Sequence, residues 1–234
     1  METTGIDLRA EQQATLARAR YDYSSVTRAM VRGMDRIAGE ENTVFKARIV
    51  ETLAPIPYRA WENREYGRLS RHYGDDALVR DADAVLRWGR EAQDTEYQHL
   101  RVIGAKLRED GEQGPRHLSR PVPDLMAGSW ALASRTLARV SMRRSFLLNA
   151  EAEDHAEHYY AELVQAHPEW EELPVTSDVV RAYGDFGCWA DVFRRIGLDE
   201  RDHRNASFAF AGMPEFVVPY EGMPETPGLE RPAA

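Results

Sequence analysis

The chain has one cysteine, Cys188, in 234 residues, so no disulfide can form within it and a cysteine-ligated zinc site is excluded. Lysine is nearly as scarce. Lys46 and Lys106 are the only two, and arginine carries the rest of the positive charge. With a formal net charge of −9 and a pI near 5.3, the chain lacks the basic excess that phosphate binding needs, so nucleic acid is not an expected partner. Long apolar runs are missing too. No stretch approaches the roughly 18 uncharged apolar residues of a membrane-spanning helix, and the N-terminal METTGIDLRAEQQATLARAR lacks the unbroken apolar run of a secretory signal. A cytoplasmic protein is expected, soluble or resting on the membrane surface. Valine and isoleucine are sparse and strict apolar–polar alternation is absent, which counts against a sheet-based fold.

What is present is helical periodicity. In ARIVETLAPIPYRAWENREYGRLSRHY the apolar positions keep helical spacing, with a kink expected at Pro55 and Pro57. Asp75 and Asp76 can cap a helix running to about Arg108. The Gly/Pro-rich EDGEQGPRHLSRPVPD reads as a connection from one end of a bundle to the other. One long helical segment is expected from about Leu125 to His167, ending before Pro168. A last helix is expected from caps at Thr176, Ser177 and Asp178 through VVRAYGDFGCWADVFRRIGLDERDHRN. The reading is a single all-α domain over residues 1–212 and an irregular, Pro-rich tail over 213–234.

The chemistry is carried by two Glu-x-x-His pairs. TEYQHL holds Glu96 and His99, and DERDHRN holds Glu200 and His203. Residues three apart share a helix face, so each pair can present a carboxylate and an imidazole to one point. A dinuclear carboxylate site in a four-helix bundle needs such a pair from each of two helices and a lone glutamate from each of the other two. The chain supplies that order: Glu51, then Glu96 with His99, then Glu153, then Glu200 with His203. Each lies on an apolar stripe. Glu96 is in register with Trp88, Ala92, Ile103 and Leu107, Glu153 with Phe146, Ala156, Tyr160 and Leu163, and Glu200 with Phe193 and Ile196. An unpaired buried carboxylate costs several kcal/mol, so this line of carboxylates on core faces calls for cations. Four carboxylates and two imidazoles suit a pair of iron ions, or manganese. The expected architecture is a ferritin-like four-helix bundle with one or two extra helices.

These motifs resemble those of the alternative oxidases and plastid terminal oxidases. The family's Leu-Glu-Thr motif, with a proline six residues beyond its glutamate, is similar to VETLAPIP, matching Glu51, Thr52 and Pro57. Its Asn-Glu-Arg-Met-His-Leu run resembles TEYQHL, matching Glu96, His99 and Leu100. Its Leu-Glu-Glu-Glu-Ala followed by His-Thr-Tyr resembles AEDHAEHYY, matching Glu153, Ala156, His158 and Tyr160. Its Ala-Asp-Glu-Ala-His-His-Arg resembles LDERDHRN, matching Asp199, Glu200, His203 and Arg204. The resemblance spans roughly Ala47 to Ala211. It implies iron ligands at Glu51, Glu96, His99, Glu153, Glu200 and His203, with Tyr160 as the redox-active or proton-donating tyrosine. Asp199 is expected to orient a metal-binding histidine, and Arg204 to stand beside it.

The same resemblance implies oxidation of a quinol with reduction of O2 to water. Departures from the pattern are Thr95 in place of an asparagine, and Asp154 and His155 in place of two glutamates. The helix before the third motif, apolar and membrane-embedded in the family, here reads MAGSWALASRTLARVSMRRSFLL with four arginines. Only weak peripheral membrane contact is therefore expected, and a homodimer is the expected assembly. A mouth for an apolar donor is placed at Trp130, Leu132, Leu137 and Phe146. Two alternatives stay open: a soluble diiron oxygenase that hydroxylates, desaturates or N-oxygenates a small molecule, and an iron-storage or structural bundle. In NAEAEDHAEHYYAEL, Glu151, Glu157 and Glu162 read as a solvated face opposite Glu153 and Tyr160. His155 and His158 fall just off the ligand stripe and are assigned a supporting or surface role.

Overall fold

The computed structural model describes residues 5–112 and 122–229, and among these all regular structure is helical. The helices are α1 (Leu8–Ala17), α2 (Ser25–Ala38), α3 (Val44–Leu53), α4 (Pro55–Arg71), α5 (Asp76–Glu109), α6 (Val122–Val140), α7 (Met142–Ala166), α8 (Asp178–Tyr183) and α9 (Trp189–Phe210). The break between α3 and α4 falls at Ala54, where Pro55 and Pro57 withhold backbone donors. Asp75 caps α5, its Oδ1 accepting from the amides of Ala77 and Leu78 at 3.1 Å. Most of the Gly/Pro-rich connection, residues 113–121, lies outside the described residues.

Two expected helices prove to be four. The segment from Leu125 to His167 is interrupted at Ser141, which adopts an extended conformation and caps α7 by accepting from the Arg144 amide. A cap and a bend look the same as an ordinary polar position in a periodicity pattern, so the break is invisible there. The last segment divides into α8 and α9 around Gly184–Cys188, where Gly184 is extended and Cys188 pairs with Pro174 in an isolated bridge.

α7 packs along α9, while α3 and α4 pack along α5. Two apolar clusters fill the interior. One includes Val102, Ile103, Leu163, Trp170, Trp189 and Phe193, and the other Tyr58, Trp61, Val85, Trp88, Phe146 and Phe210. On α5 the clusters occupy Val85–Ala92 and Val102–Leu107, so Glu96 and His99 fall between them. The same holds on α9, where Glu200 and His203 separate Ile196 from Ala206. The core is thus split by a polar layer.

The acidic residues of α7 are not a solvated face. Glu151 and Glu157 are buried at 3% and 2% exposure, and only Glu162 stays partly exposed. Glu151 accepts from the Ser24 amide and hydroxyl and from Thr27 Oγ1, which fixes the start of α2. Asp154 accepts from the Tyr21 amide, Tyr23 Oη and Arg204 Nε. Glu157 binds Thr15 Oγ1, Arg18 and Arg201. A ladder of carboxylates on one face of α7 therefore holds the N-terminal segment in place. Both lysines are buried as well: Lys46 bonds Asp35 Oδ1 at 2.6 Å, and Lys106 bonds Asp110 Oδ1 at 2.6 Å beside the Trp170 and Trp189 rings.

Candidate metal centre

Glu51 comes from α3, Glu96 and His99 from α5, Glu153 from α7, and Glu200 and His203 from α9. The fold brings all six together. Glu51, Glu96, His99 and Glu200 form one group whose ligand atoms lie within 4.8 Å of one another, and Glu96, Glu153, Glu200 and His203 form a second. Glu96 and Glu200 belong to both groups. All six side chains are buried, His203 being the most accessible at 6%.

Distances within the cluster are those of groups facing a common centre. His99 Nδ1 lies 3.4 Å from Glu51 Oε2, 3.6 Å from Glu96 Oε2 and 3.3 Å from Glu200 Oε1. His203 Nδ1 lies 2.9 Å from Glu96 Oε1 and 3.3 Å from Glu200 Oε2. Of these approaches, that of His203 Nδ1 to Glu200 Oε2 has hydrogen-bond geometry and the others do not. Among the described residues, Glu51 Oε2, both Glu96 oxygens and His99 Nδ1 are buried without a hydrogen-bond partner. Orphaned buried polar atoms are rare because each forfeits its hydration for nothing. Four of them aimed at one volume fit a cation: these Glu and His groups could hold a metal ion.

The electrostatics agree. Burial, together with Glu200 and Glu96, pushes the Glu51 and Glu153 carboxyls well above the usual range. Burial also works against ionisation of Glu96, but its contacts with His203 and His99 outweigh that and hold it low. Burial alone would lower both histidines. Tyr183, Asp199 and the facing glutamates raise His99 instead, and Glu200 and Glu96 raise His203. Carboxyls that keep protons only for want of a counter-charge are ones from which a cation displaces those protons.

The supporting residues come in two crossed pairs. Tyr160 donates to Glu51 Oε1, and Tyr58 donates to Glu153 Oε1 at 2.7 Å. Tyr58 also accepts from Asn149 Nδ2, which in turn donates to Glu153 Oε1 at 2.9 Å. Sequence reasoning misses Tyr58 and Asn149. The signal for Tyr58 is present, since it stands seven residues after Glu51 as Tyr160 stands seven after Glu153. Asp199 faces His99 Nε2 at 3.2 Å and is itself held by Tyr183 and Arg195, so it fixes the imidazole from behind. Arg204 does not join it. Its Nε bonds Asp154 Oδ1 at 2.7 Å and its Nη1 the Phe216 carbonyl, which ties α9 to the acid ladder and the C-terminal segment. His155 and His158 keep clear of the cluster: His155 meets the Tyr23 ring edge-on, and the ring nitrogens of His158 face the Asp154 and Arg18 carbonyls.

A cavity of about 300 Å³ reaches the cluster at Glu153 and Asn149. Met30, Met34 and Ile37 of α2 form one wall, Val50 and Leu53 of α3 another, and Met126 and Trp130 of α6 a third. Of the four residues placed at an apolar mouth from sequence, only Trp130 lines it. Leu132 is exposed, and Phe146 is packed against Trp61.

No protein-family model matches the chain, and no curated protein matches it.

Proposed function

We propose that the protein is a ferritin-like diiron carboxylate enzyme, an O2-dependent oxidoreductase that resembles the alternative oxidases and oxidises a quinol while reducing O2 to water. The observation that carries this reading is the pair of overlapping four-residue groups with unpartnered buried atoms facing their centre. Glu51 and His99 would hold one ion, Glu153 and His203 the other, and Glu96 and Glu200 would be shared. Manganese suits the same donors. When bound, such a pair passes electrons from the donor to O2.

The chain's own residues set the conditions for that chemistry. Tyr160 holds a proton at its phenolic oxygen, which burial and Glu51 keep from ionising, and this proton sits next to the cluster. Asp199 keeps the His99 ring turned so that Nδ1 faces the glutamates. The methionine-rich cavity offers a water-poor berth for an apolar reductant against Glu153. Anaerobic titration of the iron-loaded protein with quinols, followed by O2 admission, tests the reading. Bleaching of the oxidised centre by quinol and stoichiometric O2 uptake are expected. A second reading, a soluble diiron oxygenase acting on a small molecule, draws support from the mean hydropathy of −0.57 and from the size of the cavity. Reduction by a general electron donor but by no quinol would favour it.

No helix among the described residues is long and apolar enough to cross a membrane. Peripheral contact is supported by α6, where Leu125, Leu132 and Val140 are exposed beside Arg135 and Arg139, with Arg143 at the start of α7. Each basic residue near anionic headgroups adds up to about 1 kcal/mol of attraction, while the net charge of −9 opposes approach. Flotation with anionic vesicles should show weak binding at low salt that disappears at high salt. Tight, salt-resistant binding would mean a larger apolar face than these three residues make. A homodimer fits the same reading.

A further inference from the structure

A second cavity touches the cluster, and its chemistry differs from that of the first. The apolar one ends at Glu153. The other, of about 180 Å³, lies between α5, α9 and the C-terminal segment, and its lining includes Glu91, Asp199, Asp202, His203 and Glu225. Four lining residues are carboxylates and none is lysine or arginine. Arg195 stands behind, bonded to Asp199 and 3.3 Å from Asp202. Glu91 and Glu225 are exposed at the mouth. At the inner end His203 Nδ1 lies 2.9 Å from Glu96 Oε1, and both Glu96 oxygens are buried with no hydrogen bond. The cleft thus runs from carboxylates in solvent to His203, and the Nδ1 of that ring faces an orphaned carboxylate in the core.

We propose that this cleft is the route by which a hydrated divalent cation loads the cluster, with Glu91 and Glu225 drawing it from solvent and His203 handing it to Glu96. The inference rests on the metal-centre reading above. Stripping water from a dication inside the methionine-lined cavity would cost far more than the weak contacts there return. A carboxylate-lined cleft replaces hydration step by step and raises the local cation concentration. The two cavities then divide the work: ions through the acidic cleft, the apolar substrate through the other.

Anaerobic stopped-flow mixing of metal-free protein with ferrous iron tests this, with uptake followed by tryptophan fluorescence and the final stoichiometry by metal analysis. A double Glu91→Gln, Glu225→Gln variant should bind the same amount of iron about tenfold more slowly at low ionic strength. The difference should shrink as salt is raised. A double Glu40→Gln, Glu41→Gln variant, which removes the same charge from exposed positions that line neither cavity, should leave the rate unchanged. Equal rates in the Glu91/Glu225 variant and the parent, or equal slowing in the Glu40/Glu41 variant, would overturn the route while leaving the metal centre standing. A parent protein that takes up no iron would remove both.

Discussion

Metal-free protein titrated anaerobically with ferrous iron should take up two ions per chain, and its melting temperature should rise with them. Ligand at about a thousand times its Kd adds roughly 4 kcal/mol to stability. For a chain of this size that corresponds to roughly 8–16 °C. The variants separate because the candidate ligands are not equivalent. Glu96 belongs to both four-residue groups, whereas His203 belongs to one. Glu96→Ala should therefore abolish uptake of both ions and the thermal shift with it. His203→Ala should keep one ion, held by Glu51, His99 and the shared glutamates, and about half the shift. Without metal, Glu96→Ala should also cost some stability, because it takes away the carboxylate that faces the His99 and His203 rings and is held ionised by them. The difference between loaded and unloaded protein is the quantity to compare. Uptake of zinc alone, or of no metal by a folded protein, would rule out the diiron reading.

Tyr160→Phe should leave iron content and melting temperature nearly unchanged and still cut turnover by about 10²–10⁴-fold. The substitution removes one hydroxyl from a ring that keeps its packing against Tyr159 and Phe193. What it loses is the one proton on a side chain bonded to Glu51. Tyr58→Phe is the natural comparison, because it breaks the matching bond to Glu153. Tyr58 also packs edge-on against Trp61, Trp88 and His203. Its hydroxyl helps to hold Glu153 in place, so Tyr58→Phe should weaken iron affinity at the Glu153–His203 end. Oxygen uptake that survives in Tyr160→Phe would reduce Tyr160 to a packing residue.

The six candidate ligands are legible in the sequence for a physical reason. Each sits on a helical stripe that is otherwise apolar, and a charged residue there is costly enough to need an explanation. Glu96 between the Val85–Ala92 and Val102–Leu107 blocks of α5 is the plainest case. Tyr58 is legible by the same seven-residue spacing that singles out Tyr160, but the proline break between α3 and α4 hides that the two turns stay in register. Glu151 and Glu157 are the opposite case. Their partners Ser24, Thr27, Arg18 and Arg201 are distant in sequence, and a carboxylate that will meet an arginine from another helix looks locally like one that will meet water. The divisions at Ser141 and at Gly184–Cys188 are hidden for a similar reason, because apolar spacing can persist across a break that backbone capping makes.

The carboxylate ladder on α7 also sets an order of events during synthesis. α1 leaves the ribosome long before its farthest anchors: Glu11 meets Arg201 and Gln12 meets Arg194, at separations of 190 and 182 residues. At typical translation speeds the ribosome needs roughly 10–40 s to cover that distance. The apolar side of α2, with Met30, Met34 and Ile37, waits less long, until Ala152, Ala156 and Tyr159 of α7 supply the far wall of its cavity. Slow elongation would prolong this unpartnered state, and faster elongation or a chaperone that binds short amphipathic helices would shorten or shield it. Yield of soluble protein should then depend on the first forty residues more than their distance from the cluster would imply.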